Sequence, residues 1–396
     1  MNVVRLNEDH TTTLNGRRFF LIGARHMPEG GTQAKLAEAG FNGFRWSAFG
    51  TESSQAADLP QPPEDLYFWA YIFDRAVFDR CRDYQLQLES LADRLKDHPR
   101  FLCYENYNEV AMRWGETDTK AGPSELIAGS RRLREIDPDH PIWLAHCCGR
   151  TVETLRAYNP CTDILGCNPY PVQPPGMKSH YGVRPDGRMF DCPDQTLHGV
   201  GRYIEKMLRL GEQRMPVWML IQAMANEHWF DPQRGEADAL DPTKVLYPTY
   251  DEMRFMTYDA IICGATGLAF SMYRTPVDSQ AWRDVSRLVG ELRLLHDVLC
   301  APKVDEPIEI SYTDLGFTIW DGVRISARRI GGSPYILAAN TAFDRARAAI
   351  RMPCLVGPQS AVVVNEDRQI PIVAGCLQDD FDPFAVHVYR MDIEPN

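Results

Sequence analysis

"FLCYENYNEVAMRW", residues 101–114, opens on an apolar run of strong β character, closes on Asn108-Glu109 and continues into Arg113 and Trp114. A short apolar run bounded by turn residues reads as a buried strand. Six further runs share this texture: "FFLIGA" (19–24), "FNGFRW" (41–46), "IWLAHC" (142–147), "DILGCN" (163–168), "VWMLIQA" (217–223) and "GLAFSMY" (267–273). An eighth, "LQLES" (86–90), is squeezed between two helical patterns. Helices are predicted at 31–39, 64–84, 91–98, 123–136, 151–158, 198–213, 249–263 and 278–299, with Pro99, Pro141, Pro160 and Pro216 acting as stop signals.

Strict alternation of strand and helix implies parallel strands joined by crossovers. The count near eight predicts an α/β fold of the (β/α)8 TIM barrel type over residues 1–300. No G-x-G-x-x-G follows the first strand, which weakens a dinucleotide-binding sheet. Beyond residue 300 the texture changes to runs such as "FTIWDGVRISARRI", "PYILAAN", "SAVVVN" and "AVHVYRM", separated by Gly, Pro and Asp. These predict a small antiparallel, β-sandwich-like C-terminal domain over 301–396.

The 396 residues carry a net charge of -12 and no basic run, which argues against a nucleic-acid partner. Eleven cysteines, an odd number without zinc-ribbon spacing, fit free thiols in a reducing compartment, so a cytoplasmic location is expected. The N-terminus lacks the plan of a signal peptide, and no window approaches a membrane span. No H-E-x-x-H motif or carboxylate cluster suggests a metal, and no Walker A suggests a nucleotide; neither metal nor cofactor is expected. The sequence leaves the oligomeric state open.

A barrel builds its active site at the C-terminal ends of its strands. Those ends offer Arg25 and His26, Arg45 and Trp46, Asn108 and Glu109, His146, Asn168 and Tyr170, Gln222, and Tyr273 and Arg274. Aromatic faces suit the apolar faces of sugar rings, and the amide, carboxylate, guanidinium and imidazole groups suit their hydroxyls, so a carbohydrate is the expected ligand. A lone histidine in a barrel is as often packed and hydrogen-bonded as it is a ligand. Glu105 shares a strand face with the site but sits deeper, where an ion pair with Arg45 or Arg25 is expected. "TYDE" (249–252) fits a capping box, with Glu252 reaching back to Thr249.

"LNGRRFFLIGARH", "AGFNGFRW", "LKDHPRFLCYENYNEV" and "TDILGCNPYPV", followed by "MPVWMLIQA" and "GATGLAFSMYR", resemble the strand segments of clan A glycoside hydrolases from residue 14 to about 300. The Asn-Glu pair is the most specific part of this resemblance. It implies hydrolysis of a β-linked glycoside, with Glu109 as general acid and Asn108 near the sugar 2-hydroxyl. It also implies a nucleophilic carboxylate closing the seventh strand. Here the sequence departs from the clan, because that place holds Gln222, and a neutral amide cannot form the glycosyl ester.

Four explanations stay open. The glutamine is an introduced exchange. A loop carboxylate, with Glu227 first and Asp191 or Glu29 behind it, serves as base in an inverting reaction. The substrate supplies its own nucleophile, oriented by Gln222. Or hydrolysis is lost, leaving a catalytically silent carbohydrate-binding protein. Glu227 ranks first among the carboxylates because His228 and Trp229 flank it, which suits a sugar subsite. The long segments 173–199 and 224–248 are expected to act as subsite walls.

Overall fold

The computed structural model describes residues 2–49, 56–112, 119–173, 196–230, 245–314, 321–357 and 360–391. Three short antiparallel strands, β1 (Val4–Leu6), β2 (Thr12–Leu14) and β3 (Arg17–Phe19), come first. Eight parallel strands follow: β4 (Leu21–Ala24), β5 (Gly43–Ser47), β6 (Tyr67–Tyr71), β7 (Phe101–Glu105), β8 (Ile142–His146), β9 (Ile164–Cys167), β10 (Trp218–Gln222) and β11 (Gly267–Ser271). Their order, β10-β11-β4-β5-β6-β7-β8-β9, leaves β9 and β10 as neighbours across the gap. A parallel bridge between Leu165 and Val217, with Leu165 N–H donating to Pro216 O at 3.0 Å, closes the ring. The fold is a (β/α)8 barrel.

Around it lie α1 (Gln33–Ala39), α2 (Tyr84–Leu95), α3 (Pro123–Ile136), α4 (Val152–Arg156), α5 (Gly199–Leu210), the short α6 (Glu227–Phe230), α7 (Tyr250–Cys263), α8 (Gln280–Leu294) and α9 (His296–Cys300). Among the described residues no helix separates β5 from β6. The capping box at α7 forms as its sequence implies: Thr249 Oγ1 accepts from Glu252 N–H at 3.2 Å, and Glu252 Oε2 accepts from Thr249 N–H at 2.8 Å.

One strand differs from the sequence reading. "LQLES" lies inside α2, and the third barrel strand is "YFWAY" (67–71), from within the helix predicted at 64–84. A strand buried on both faces shows no period-2 alternation, and Phe68, Trp69 and Ala70 are all fully buried. The alternation in "LQLES" is that of a helix surface, where Leu86 is 66% exposed and Leu88 is buried.

Side chains alternate between the barrel axis and the helical layer. Trp69, Trp143 and Trp218 point inward, with centroid distances of 5.6 Å from Trp69 to Trp143 and 5.6 Å from Trp143 to Trp218. A Cβ on Gly166 would lie 2.5 Å from Trp143 Nε1, and one on Gly267 would lie 2.5 Å from the Trp218 ring, so glycine makes the room. Val4, Leu14 and Phe19 of the N-terminal strands join this cluster from below.

The C-terminal strands are β12 (Glu309–Asp314), β13 (Val323–Ile330), β14 (Ser333–Asn340), β15 (Ala346–Arg351), β16 (Ser360–Val363), β17 (Arg368–Val373), β18 (Cys376–Phe381) and β19 (Val386–Met391). They form one antiparallel sheet, in which the first part of β17 pairs with β16 and its last residues pair with β18. Helix α7 packs on β13, β14 and β19, and Arg254 Nη1 of that helix donates to Val386 O at 2.7 Å.

Candidate active site

The inward positions above the tryptophans are polar. Glu105, wholly buried at the end of β7, faces Arg25 at 3.3 Å and Arg45 at 3.3 Å, and accepts from Trp69 Nε1 at 2.7 Å. It therefore pairs with both arginines. Arg45 also lies 3.8 Å over the ring of Tyr71, whose hydroxyl burial pushes up to about 12.

Glu109 sits in the turn after β7, 7% exposed, with φ of 51°. A left-handed glutamate is strained, and such strain persists only where neighbours enforce it. Its N–H donates to Ala145 O at 2.8 Å, and its carbonyl accepts from Met112 N–H at 3.1 Å. On the carboxylate, Oε1 accepts from Asn168 Nδ2 at 3.1 Å. Its charge acts on the Arg25 guanidinium, the Tyr170 hydroxyl and the buried thiols of Cys147 and Cys148. The carboxylate thus belongs to the ring of groups at the barrel mouth.

Tyr170 is buried, which raises its pKa, so the hydroxyl stays protonated, with the Ser271 hydroxyl nearby. Ser271 Oγ lies 3.2 Å from His26 Nδ1. Burial, with Arg45 and Arg25 nearby, holds His26 well below the usual imidazole pKa, so the ring is neutral at pH 7. His26 meets Tyr273 edge-on at 5.6 Å, and the Arg274 guanidinium lies 5.5 Å from the Tyr273 ring.

Several polar atoms here are buried without a hydrogen-bond partner among the described residues: Arg25 Nη1, Asn108 Oδ1 and Asn168 Oδ1. Buried polar atoms in native structures are seldom left unmatched, so each marks a place where a ligand or water hydrogen bond is favourable. The backbone carbonyl of Asn108 accepts from Lys120 Nζ at 2.8 Å.

Two residues predicted to bind sugar lie elsewhere. Trp46 follows the inward Arg45 and points outward, packing edge-on to Phe68 at 5.9 Å. His146 follows the inward Ala145 and faces the helices, fully buried, 6.4 Å from the Tyr158 ring. Burial, aided by the Lys206 charge, lowers the His146 pKa to about 3. Strand parity is the reason in both cases, since successive side chains take opposite faces.

Gln222 ends β10 fully buried, and its amide is spent on backbone. Oε1 accepts from Val172 N–H at 2.9 Å, and Nε2 donates to Val172 O at 2.7 Å and Met224 O at 3.1 Å. Glu227 opens α6; its Oε1 accepts from Leu246 N–H at 2.7 Å, while Oε2 is buried without a hydrogen-bond partner among the described residues. His228 Nε2 lies 3.1 Å from Tyr247 Oη, which donates to Arg274 O at 3.1 Å. Both Glu227 and Glu29 act electrostatically on His228, so they share one side of the rim. Asp191, Arg113, Trp114, most of the two long segments and the side chain of Trp229 lie outside the described residues.

Sequence reading missed Ser271, Gln173 and Asn226. Ser271 follows Ala269 in phase on the inward face of β11, a signal available from periodicity alone. Gln173 and Asn226 stand in loops and carry no such signal. Among the described residues no group of three or more His, Cys, Asp or Glu is placed to hold a metal ion, and no helix is long and apolar enough to cross a membrane.

No protein-family model matches the chain, and no curated protein matches it in sequence. Solved structures do match its fold. A protein described as a glycoside hydrolase superposes with a TM-score of 0.63 at 14% identity, over 99% of this chain and 97% of its own. A glycoside hydrolase family 5 protein from Bacteroides vulgatus gives 0.61 at 12%, over 99% and 94%. A beta-galactosidase from Bacillus circulans sp. alkalophilus gives 0.59 at 10%, over 94% and 99%. The barrel and the C-terminal sheet together are thus the architecture of known glycoside hydrolases, shared at the level of fold.

Proposed function

We propose that the protein is a glycoside hydrolase that cleaves a β-linked glycoside or oligosaccharide, with Glu109 as general acid. One observation carries this reading. A nearly buried carboxylate, held in a strained turn at the end of the fourth barrel strand, accepts from Asn168 within a ring of aromatic and hydrogen-bonding groups. That is the position the clan resemblance implies for the acid, and the fold neighbours include enzymes of this type.

Arg25, His26, Asn108, Asn168, Tyr170, Tyr273 and Arg274 are the sugar-binding candidates that the mouth supports. The polar atoms of Arg25, Asn108 and Asn168 that lack a partner among the described residues match what sugar hydroxyls offer, since a hydroxyl both donates and accepts. Glu227 is the candidate base on a water, which makes the reaction inverting. Its second oxygen is uncommitted among the described residues, and its helix follows the strand that ends at Gln222.

A second reading, a carbohydrate-binding protein without turnover, is favoured by the neutral and fully engaged amide of Gln222. One experiment separates the two. Wild type, Glu109→Gln and Glu227→Gln are incubated with aryl β-glycosides and defined oligosaccharides, and the product anomer is followed by NMR. The hydrolase reading expects inverted product, lost in both variants. Hydrolysis untouched by Glu109→Gln would remove the acid assignment, and binding without turnover would favour the second reading.

A further inference from the structure

Gln222 stands where the clan resemblance implies a nucleophile, yet both its N–H donors and its oxygen are engaged with backbone in the described structure. One side chain pairs both the N–H and the C=O of Val172, as a neighbouring strand would, and also reaches Met224 O. That pattern needs an acceptor and two N–H hydrogens on one planar group, which at this length glutamine supplies and glutamate does not. Asn226 reinforces it, donating to Tyr170 O at 3.2 Å and Val172 O at 3.1 Å. Gln173 Nε2 closes the same segment onto Tyr170 O at 2.7 Å.

The segment so gripped carries Tyr170, whose hydroxyl lies in the field of Arg25 and Glu109. We infer that Gln222 is a positioning residue: its amide clamps residues 170–173 across the end of β10, occupying the nucleophile's place and fixing Tyr170 at the mouth. The glutamine is then an integral part of this site, and restoring a carboxylate there damages the site instead of reviving a covalent step. The kinetic part of this inference rests on the hydrolase reading; the clamp itself does not.

In Gln222→Glu a carboxylate oxygen would face the carbonyls of Val172 and Met224 in a buried site. Burial and those carbonyls raise the pKa of the new carboxyl above its unfolded value. Its penalty is therefore smallest at acid pH, where the carboxyl is protonated and can donate once, and it grows as pH rises through the raised pKa. In Gln222→Met all three hydrogen bonds are lost with no titrating group, so the defect is independent of pH.

The test uses the full chain as wild type, Gln222→Glu and Gln222→Met, held at a temperature where circular dichroism shows each folded. Backbone amide exchange at Val172 should quicken roughly tenfold or more in Gln222→Met, the effect of losing the buried acceptor that Gln222 Oε1 supplies. The melting temperature of Gln222→Glu should fall further below wild type as pH rises, while the deficit of Gln222→Met stays level. With p-nitrophenyl β-glycosides, kcat should fall at least about tenfold in both variants, recovering toward acid pH in Gln222→Glu alone. Unchanged exchange at Val172 in Gln222→Met, or a Gln222→Glu protein that gains hydrolysis with retained anomeric configuration, would overturn the inference. If Gln222→Glu does not fold, exchange in Gln222→Met decides. A chain that turns over no glycoside yet loses Val172 protection in Gln222→Met keeps the clamp and removes the hydrolase reading.

Discussion

Asn168 Nδ2 donates to Glu109 Oε1 at 3.1 Å, linking the end of β9 to the turn after β7 across the intervening β8. Hydrogen bonds to a carboxylate are worth about 1.5–3 kcal/mol when lost. Asn168→Ala should lower kcat/KM by about tenfold to a hundredfold on any glycoside the protein cleaves, since it removes a partner that orients the proposed acid. Thermal stability should fall by no more than about 1.5–3 kcal/mol, the worth of that one hydrogen bond. Steady-state kinetics beside a melting curve checks both parts.

Glu105 offers a contrast, because its neighbours tie it into the frame. The carboxylate is wholly buried between Arg25 and Arg45, each at 3.3 Å. Glu105→Gln keeps the shape and an oxygen for Trp69 but strands two buried guanidiniums. Breaking a buried pair on one side costs about 3–5 kcal/mol. The urea midpoint should drop accordingly, and the variant should be harmed more in stability than Asn168→Ala.

His146 gives a pH signature. Its folded pKa is lowered to about 3 from 6.5, because a charged ring cannot be accommodated between β8 and the helices. Between those values the unfolded chain binds a proton that the folded chain refuses. The residue's contribution is therefore complete above pH 6.5 and is lost as pH falls toward 3. His146→Phe should flatten the acid side of the stability curve over that window, by a few kcal/mol at its lower end. KM for a glycoside should be unmoved, whereas a sugar-binding histidine would shift it.

Gly267→Ala tests the packed interior. The added methyl would lie 2.5 Å from the Trp218 ring, inside a cluster with no slack. Overpacking of this kind costs about 1–3 kcal/mol. The loss should appear in urea unfolding, and replacing Trp218 by a smaller ring in the same chain should recover part of it.

Most of the barrel was legible because its strands are short, apolar and separated by helices with clear stop signals. The exception is instructive: Tyr67–Tyr71 is so deeply buried that nothing alternates, and its five residues extended a helical reading on either side. At the site, Arg25, Arg45 and Asn168 lie in phase with the inward face of their strands. Trp46 and His146 lie one residue out of phase, and parity cannot be fixed from composition when both faces of a strand are apolar. The hold of Gln222 on Val172 was hidden for a different reason. It joins residues 50 apart, and its partner is a backbone group that no side-chain pattern can reveal.

The indoles of Trp143 and Trp218 meet directly behind the place where β9 and β10 share a single bridge, Leu165 to Val217, among the described residues. The weakest seam of the wall is therefore stitched from within by two chromophores. Exciton coupling between them would fade when that seam parts, so the indole band in far-ultraviolet dichroism offers a native optical gauge of whether the cylinder is shut, without any label.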